Sequence, residues 1–381
     1  MKILLIGNYQ QDRQHSMLAF MHMMKRGLEA AGHSVEQFQP AVTFGRARST
    51  ESGFGKWLGY IDKYILAPRA LQKTLTTVQP DIVHICDHAN AIYLPHIRPH
   101  PSIVTCHDLF AIKSWKGLID GQQKSLIGQQ QQRWIFHHLR NAPAIACVSE
   151  PTRQDLAKLA PETKETARVI LSGLPHAYRP LSIEEVEARL QSASLKTTSG
   201  APLSSRYLLH VGGNGWYKNR AGAMRIAAKI FELQPDLQMV FAGPPPSEDL
   251  LNVIQGYEDR VVVIELPSND LLQALYCKAT CFIFPSIAEG FGWPPLEAQA
   301  CGCPVAVSDI EPLRSNCQSA LFFDPANEHQ AAALINEALC APETLDSLVR
   351  DGLENAQRFT TDAMIDAYVN LYQSAIITQQ P

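Results

Sequence analysis

This chain of 381 residues lacks several things, and each absence removes a class of function. No stretch reaches the roughly 18 consecutive apolar residues that cross a bilayer, so no membrane-spanning helix is expected. The opening Met1-Lys2-Ile3-Leu4-Leu5-Ile6-Gly7 turns polar too soon for a signal peptide and reads as a first core strand, which makes a cytoplasmic location the expectation. No Cys-x-x-Cys pair occurs among the nine cysteines, an odd number placed mostly in apolar runs at Cys86, Cys106, Cys147 and Cys281. Reduced, buried thiols are expected rather than disulfides or a metal cluster. There is no basic run, and a formal charge of -4 with a pI near 6.4 gives no general attraction to nucleic acid, which is excluded as a partner. No Gly-x-Gly-x-x-Gly follows a first strand, which argues against a nicotinamide dehydrogenase. Low-complexity sequence is missing apart from the glutamine cluster Gln122 to Gln132, which reads as a helix face.

What is present is core. With 46% hydrophobic and 18% charged residues, the chain is long enough for two domains. Short apolar runs alternate with amphipathic stretches, the pattern of parallel sheets covered by helices. Expected strands in the first half are Lys2 to Ile6, Val35 to Phe38, Asp81 to Cys86, Ser102 to Cys106, Ala144 to Val148 and Arg168 to Leu171. A turn-rich stretch follows Leu171, and the pattern restarts at Arg206 to Val211, Leu237 to Ala242, Arg260 to Glu265, Cys281 to Phe284, Pro304 to Val307 and Ala320 to Phe323. The fold class is therefore α/β with two Rossmann-like domains, 1–173 and 174–360. The helix expected at about 361–378 packs back onto the first domain. Ligands of such sheets bind beyond the carboxyl ends of the strands, so functional residues belong in the loops after these runs.

Three segments there carry chemistry. Phe284-Pro-Ser-Ile-Ala-Glu289-Gly290-Phe291-Gly292-Trp293-Pro294-Pro295-Leu296-Glu297 leaves a strand, crosses a glycine loop and enters a helix whose prolines sit where the first turn tolerates a missing N–H. Glu289 can accept hydrogen bonds from a diol, and Glu297 is expected in the helix's first turn, where alone it would read as a carboxylate on the helix dipole. His210-Val-Gly212-Gly213-Asn214-Gly215-Trp-Tyr217-Lys218-Asn219-Arg220 runs from a strand through a glycine-rich loop into a helix; loop amides and a mobile Lys218 suit a diphosphate. A plain glycine turn with surface cations is the other reading. Thr105-Cys106-His107-Asp108 ends a strand in the first half, and a helix-capping Asp beside a hydrogen-bonded His would look the same.

The first segment, with Gly302-Cys303-Pro304-Val305 after it, resembles the E-x7-E signature of retaining glycosyltransferases of family 4 with the GT-B fold, two Rossmann-like domains facing a central cleft. Position by position, the resemblance implies that Glu297 holds the ribose hydroxyls and that Glu289 faces the transferred sugar. It places the amides of Gly290, Phe291 and Gly292 on sugar hydroxyls or diphosphate, Lys218 on phosphate and His107 near the transferred sugar and the acceptor. Gly212, Gly213, Asn214 and Asn219 complete the implied donor loop. The sequence departs from the family in two places. The arginine that many members carry beside the loop glycine has no counterpart, leaving a compensating role for Arg220 open, and Gly7-Asn8-Tyr9 replaces a Gly-Gly pair after the first strand.

The activity implied is metal-independent transfer of a hexose, with retained configuration, from a UDP-, GDP- or ADP-linked sugar to a glycan, lipid or other hydroxyl acceptor, without a cofactor. The absence of an Asp-x-Asp triplet agrees with metal independence. A degenerate sugar-nucleotide-binding subunit, or an epimerase or hydrolase on the same fold, remain as alternatives. Residues 44–75 interleave Arg46, Arg48, Lys56, Lys63, Arg69 and Lys73 with Phe54, Trp57, Tyr60 and Tyr64, a pattern that suits either peripheral contact with anionic lipid at the inner membrane face or a helix packed on its own domain.

Overall fold

The computed structural model describes residues 1–47, 53–119, 121 and 125–379. Two compact units result: Met1–Pro175 together with Thr361–Pro381, and His176–Thr360.

In the first unit, β1 (Lys2–Ile6), β2 (Ser34–Phe38), β3 (Ile82–Ile85), β4 (Ser102–Cys106), β5 (Ile145–Cys147) and β6 (Ala167–Val169) form one parallel sheet in the order β2-β1-β3-β4-β5-β6. The central strands β3 and β4 are buried at every residue, as strands covered on both faces must be. At the edge, β2 exposes Ser34 and Glu36 and buries Val35 and Phe38, the alternation of a strand with one wet face. The helix His15–Ala30 connects β1 to β2 and ends where Gly32 turns left-handed at φ 83°, a conformation glycine adopts without a Cβ penalty.

The helix Thr361–Gln379 groups with this unit, although the whole second unit separates it from the rest of the sequence. A buried polar chain fastens it to the sheet. His84 of β3 bonds through Nδ1 to the Tyr372 hydroxyl and through Nε2 to Thr105 Oγ1, both at 2.7 Å, and Thr105 in turn meets the Tyr368 hydroxyl at 2.9 Å. Burial pushes the His84 imidazole down to about 3, so it is neutral and can serve as donor on one side and acceptor on the other.

In the second unit, β7 (Tyr207–Val211), β8 (Gln238–Gly243), β9 (Val261–Glu265), β10 (Cys281–Phe284), β11 (Val305–Ser308) and β12 (Leu321–Phe323) give a second parallel sheet, ordered β12-β11-β10-β7-β8-β9. Both sheets reverse their winding once, between β1 and β3 in the first unit and between β7 and β10 in the second. At such a switch point neighbouring loops diverge to opposite faces and open a crevice beyond the strand ends. Each sheet therefore has one such switch point.

The basic, aromatic stretch forms the helix Gly53–Ile61, a π-helical turn Asp62–Leu66 and the helix Ala67–Val78. Arg48 and Glu51 lie outside the described residues, as do Gln122 and Gln123 of the glutamine cluster. Lys63 turns inward, 2.8 Å from Asp12 and over the rings of Tyr9, Tyr60 and Tyr64, while Tyr64 packs edge-on against Trp134. Trp57, Ile65, Arg69 and Lys73 are exposed. No described helix is long and apolar enough to cross a membrane.

Candidate functional site

The switch point of the second sheet gathers the glycine loop after β7 and the loop after β10. Two bonds pin them together: the Ile287 amide donates to the Tyr217 carbonyl at 2.7 Å, and the Asn219 side-chain amide to the Pro285 carbonyl at 3.0 Å. Asn219 adopts a left-handed conformation at φ 49° and its Oδ1 accepts from the Gly222 amide, capping the helix Arg220–Phe231. The turn so built carries Lys218 to Glu289, with Nζ 2.7 Å from Oε1. Both side chains are largely withdrawn from water, 16% and 6% exposed, so Lys218 is held in an ion pair and is not the mobile charge expected from sequence. Pairing neutralises the carboxylate that burial would otherwise penalise.

Past Glu289, the Phe291 carbonyl accepts from the buried Asn316 amide at 2.8 Å, and Gly292 turns left-handed at φ 92° to start the helix Trp293–Ala300. A Cβ at Gly292 would lie 2.5 Å from the Leu313 side chain, so conformation and space both require glycine. Glu297 falls in this helix's second turn, because Trp293, Pro294 and Pro295 fill the first. That corrects the first-turn expectation, and a carboxylate bound by the helix dipole does not explain the residue. It is buried instead, with Oε2 accepting from the Tyr276 hydroxyl at 2.9 Å. Burial pushes its carboxyl up to about 7, against the opposing pull of the Tyr276 hydroxyl and the Lys218 charge.

The first sheet has its own cluster at the ends of β1, β3 and β4. Asn8 donates to Asp87 Oδ2 and to the side-chain oxygen of Gln14, and accepts from the Asn90 amide at 3.0 Å. Asp87 Oδ1 also accepts the Ala89 amide at 3.0 Å and lies 3.2 Å from His88 Nδ1. Burial alone would raise the Asp87 carboxyl, but the His88 imidazole, the nearby His107 and the Asn8 amide hold it well below the carboxylate range. Although burial pulls the other way, the same contact lifts His88 above its ordinary value. His107 Nε2 donates to the Cys86 carbonyl at 2.9 Å and its ring meets Phe20 edge-on. Burial lowers this imidazole, and its neutral form, with Nε2 as donor, presents Nδ1 as an acceptor. Asp108 caps its own turn by accepting from the Phe110 amide at 3.0 Å.

The family described as Glycosyltransferase Family 4 matches residues 19–177, and the one described as Glycosyl transferases group 1 matches residues 192–355. The chain belongs to the family 4 glycosyltransferases of the GT-B fold. It is 28% identical over 200 residues to the D-inositol 3-phosphate glycosyltransferase of Acidothermus cellulolyticus, an alignment that covers 49% of this chain and 44% of that protein. The O-antigen chain mannosyltransferase B of Escherichia coli is 25% identical over 306 residues, covering 75% of this chain and 73% of the other. Among solved structures, Anabaena HepE in complex with UDP-glucose matches at a TM-score of 0.71 with 15% identity over 98% of this chain and all of that one.

For a family 4 glycosyltransferase, the structure brings Lys218, Asn219, Glu289, Gly290, Phe291, Gly292 and Glu297 to one sheet edge, with Gly212, Gly213 and Asn214 in the adjoining loop. His107 stands at the corresponding edge of the other sheet. Asn8, Asp87, His88 and Tyr276 escaped the sequence reading. Asp87 and His88 follow β3 just as His107 and Asp108 follow β4, so the strand-end rule that found one pair would have found the other. Tyr276 lies inside the helix Asn269–Lys278, where nothing in the spacing marks it as the partner of Glu297.

Proposed function

We propose that the chain transfers a hexose, with retention of configuration, from a nucleotide-diphosphate sugar to a hydroxyl acceptor on a glycan or lipid. The reading is carried by the Lys218–Glu289 pair at the switch point of the second sheet, with buried Glu297 on the helix that follows. A cation for phosphate, a carboxylate for sugar hydroxyls and a second carboxylate for a ribose diol then occupy one strand edge. Amides of residues 290–292 and of the capped helix at Asn219 add donors for developing negative charge.

In the step itself the anomeric carbon–oxygen bond to the diphosphate breaks and a bond to the acceptor oxygen forms on the same face. The acceptor proton passes to a phosphate oxygen, and nucleoside diphosphate leaves. Lys218 neutralises the departing charge. His107, whose Nδ1 can accept a hydroxyl proton, and Asp87, whose ionised carboxylate can accept another, orient the acceptor. No protein nucleophile, cofactor or metal ion enters this account, in keeping with the lack of an Asp-x-Asp triplet. UDP, GDP and ADP donors stand on an equal footing. The exposed Trp57, Ile65, Arg69 and Lys73 support peripheral contact with an anionic membrane, and co-sedimentation with phosphatidylglycerol vesicles at low salt tests that part.

The main test is chemical. Product made from an α-linked donor should show an α anomeric proton by NMR; a β product would contradict the mechanism, and free sugar without transfer would favour a hydrolase.

A further inference from the structure

The helix Asn269–Lys278, which brings Tyr276 to Glu297, ends beside the helix Trp293–Ala300, and three contacts join the two ends in the same order along both segments. Tyr276 donates to Glu297 Oε2 at 2.9 Å, the Cys277 and Cys301 thiols are hydrogen-bonded to each other, and Cys303 Sγ lies 3.8 Å from the Ala279 carbonyl. Cys301 follows Glu297 by one helical turn, its amide donating to the Glu297 carbonyl at 3.1 Å. The thiol pair therefore adjoins the contact that holds Glu297, on the same two segments.

The two thiols differ in access and in acidity. Cys301 is buried, at 2% exposure, whereas Cys277 is half-buried. The hydrogen bond from Cys301 draws the Cys277 thiol below its ordinary value against the pull of burial, and the charges of Arg189 and Arg179 add to the effect. The same hydrogen bond, together with burial, holds the proton on Cys301. A reachable sulfur inclined to ionise beside a sheltered, protonated one is the arrangement in which an attacking thiolate has its resolving thiol at hand. Cys106 and Cys147 also face each other, in register on β4 and β5, but both are sealed from solvent and from any oxidant in it. Cys340 is exposed, and its sulfur meets the Gln234 side-chain amide rather than a second thiol.

We propose that Cys277 and Cys301 form a thiol–disulfide switch that weakens nucleotide binding when a hydroperoxide oxidises it. The Cys277 thiolate attacks one peroxide oxygen, the O–O bond breaks, and the other oxygen leaves with a proton as water or an alcohol. Cys301 sulfur then attacks the Cys277 sulfenic acid; the S–S bond forms and the hydroxyl leaves as water with the Cys301 proton. Two thiols lose two electrons in all, the peroxide gains them, and a dithiol reverses the change. A disulfide holds its sulfurs about 2.05 Å apart, much closer than a hydrogen bond does, so the two helix ends must draw together. Glu297 and Tyr276 sit on those ends, and their carboxylate–hydroxyl contact shifts with them. The regulatory half of the proposal rests on the donor-site reading of Glu297; the thiol chemistry does not.

Peptide mass spectrometry of the full chain after hydrogen peroxide, followed by alkylation of the remaining thiols, tests the chemistry. Wild type should yield a peptide pair linked through Cys277 and Cys301 that dithiothreitol separates. Cys301→Ser should stop at a Cys277 sulfenic acid trapped by dimedone, and Cys277→Ser should leave Cys301 reduced. Calorimetric titration with UDP, GDP and ADP tests the consequence: the oxidised wild type should bind the preferred diphosphate about tenfold more weakly than the reduced protein, dithiothreitol should restore it, and Cys277→Ser should bind equally before and after peroxide. An unmodified Cys277, or a disulfide to any other cysteine, would overturn the proposal. A Cys277–Cys301 disulfide with unchanged affinity would overturn its regulatory half. If the reduced wild type binds no nucleotide, the donor-site reading fails, while the linked peptide still decides the thiol chemistry.

Discussion

Lys218 Nζ and Glu289 Oε1 lie 2.7 Å apart, although the residues belong to loops after β7 and β10. The pair stores opposite charges at the place where a phosphate and a sugar would each claim one of them. Removing one partner strands the other in a poorly hydrated site. Lys218→Met should therefore destabilise the unliganded protein by about 3 kcal/mol, and adding Glu289→Gln should recover much of that loss. Chemical denaturation of the two single variants and the double variant measures the coupling; strictly additive effects would mean the pair contributes nothing.

Glu297 gives the site a pH dependence of its own. In the proposed donor site Glu297 meets the ribose, where only the ionised carboxylate accepts from both hydroxyls, and burial has raised its carboxyl to about 7. Nucleotide affinity should rise roughly tenfold from pH 6 to pH 8, following the ionised fraction. Stability of the empty protein runs the other way. A carboxyl whose folded value lies above its unfolded one contributes stability below about pH 4.5, and that contribution is lost as pH rises through about 7. Titration of Glu297→Gln should show weaker binding with the slope gone, and an unchanged slope would assign it to another group.

Tyr372→Phe removes the hydroxyl that satisfies His84 Nδ1 and should cost about 1–3 kcal/mol. Nucleotide affinity should be untouched, since the contact lies in the first unit. His84 also predicts acid sensitivity: its folded value of about 3 lies below that of a free imidazole, so its contribution is present above about pH 6.5 and fades as pH falls towards 3. A flat stability profile over that range in wild type would contradict the buried neutral imidazole.

Asp87→Asn keeps the shape of the cluster at the ends of β1 and β3 but discharges it. Transfer should fall by about 100-fold or more while nucleotide binding stays within about twofold, a split expected of a group that serves the acceptor. Equal loss of both would place Asp87 in the scaffold.

The twelve strands were legible because each is a short apolar run bounded by turn residues, and their order along the chain announced two α/β units. The strand order was not legible: nothing in the run Tyr207–Val211 says that β10, rather than β9, pairs with it, and that choice creates the switch point. The site was half legible for a related reason. Glycine loops and helix entries are local, so Glu289, Lys218 and Glu297 could be named from neighbours in sequence. Partnerships across the fold, such as Glu297 with Tyr276 or Asp87 with Asn8, depend on packing. Lys218 was misjudged as mobile for the same reason, its anion lying in the loop after another strand.

The central claim, a nucleotide-sugar site in residues 176–360, is tested most directly by the thermal unfolding of wild type and Glu297→Ala with saturating UDP, GDP and ADP. A ligand at about a hundred times its dissociation constant adds roughly 2.7 kcal/mol, or about 5–10 °C for a unit of this size. The account predicts that one base shifts the wild type by that amount and that the substitution removes most of the shift. No shift with any nucleotide, or an equal shift in both proteins, would contradict it.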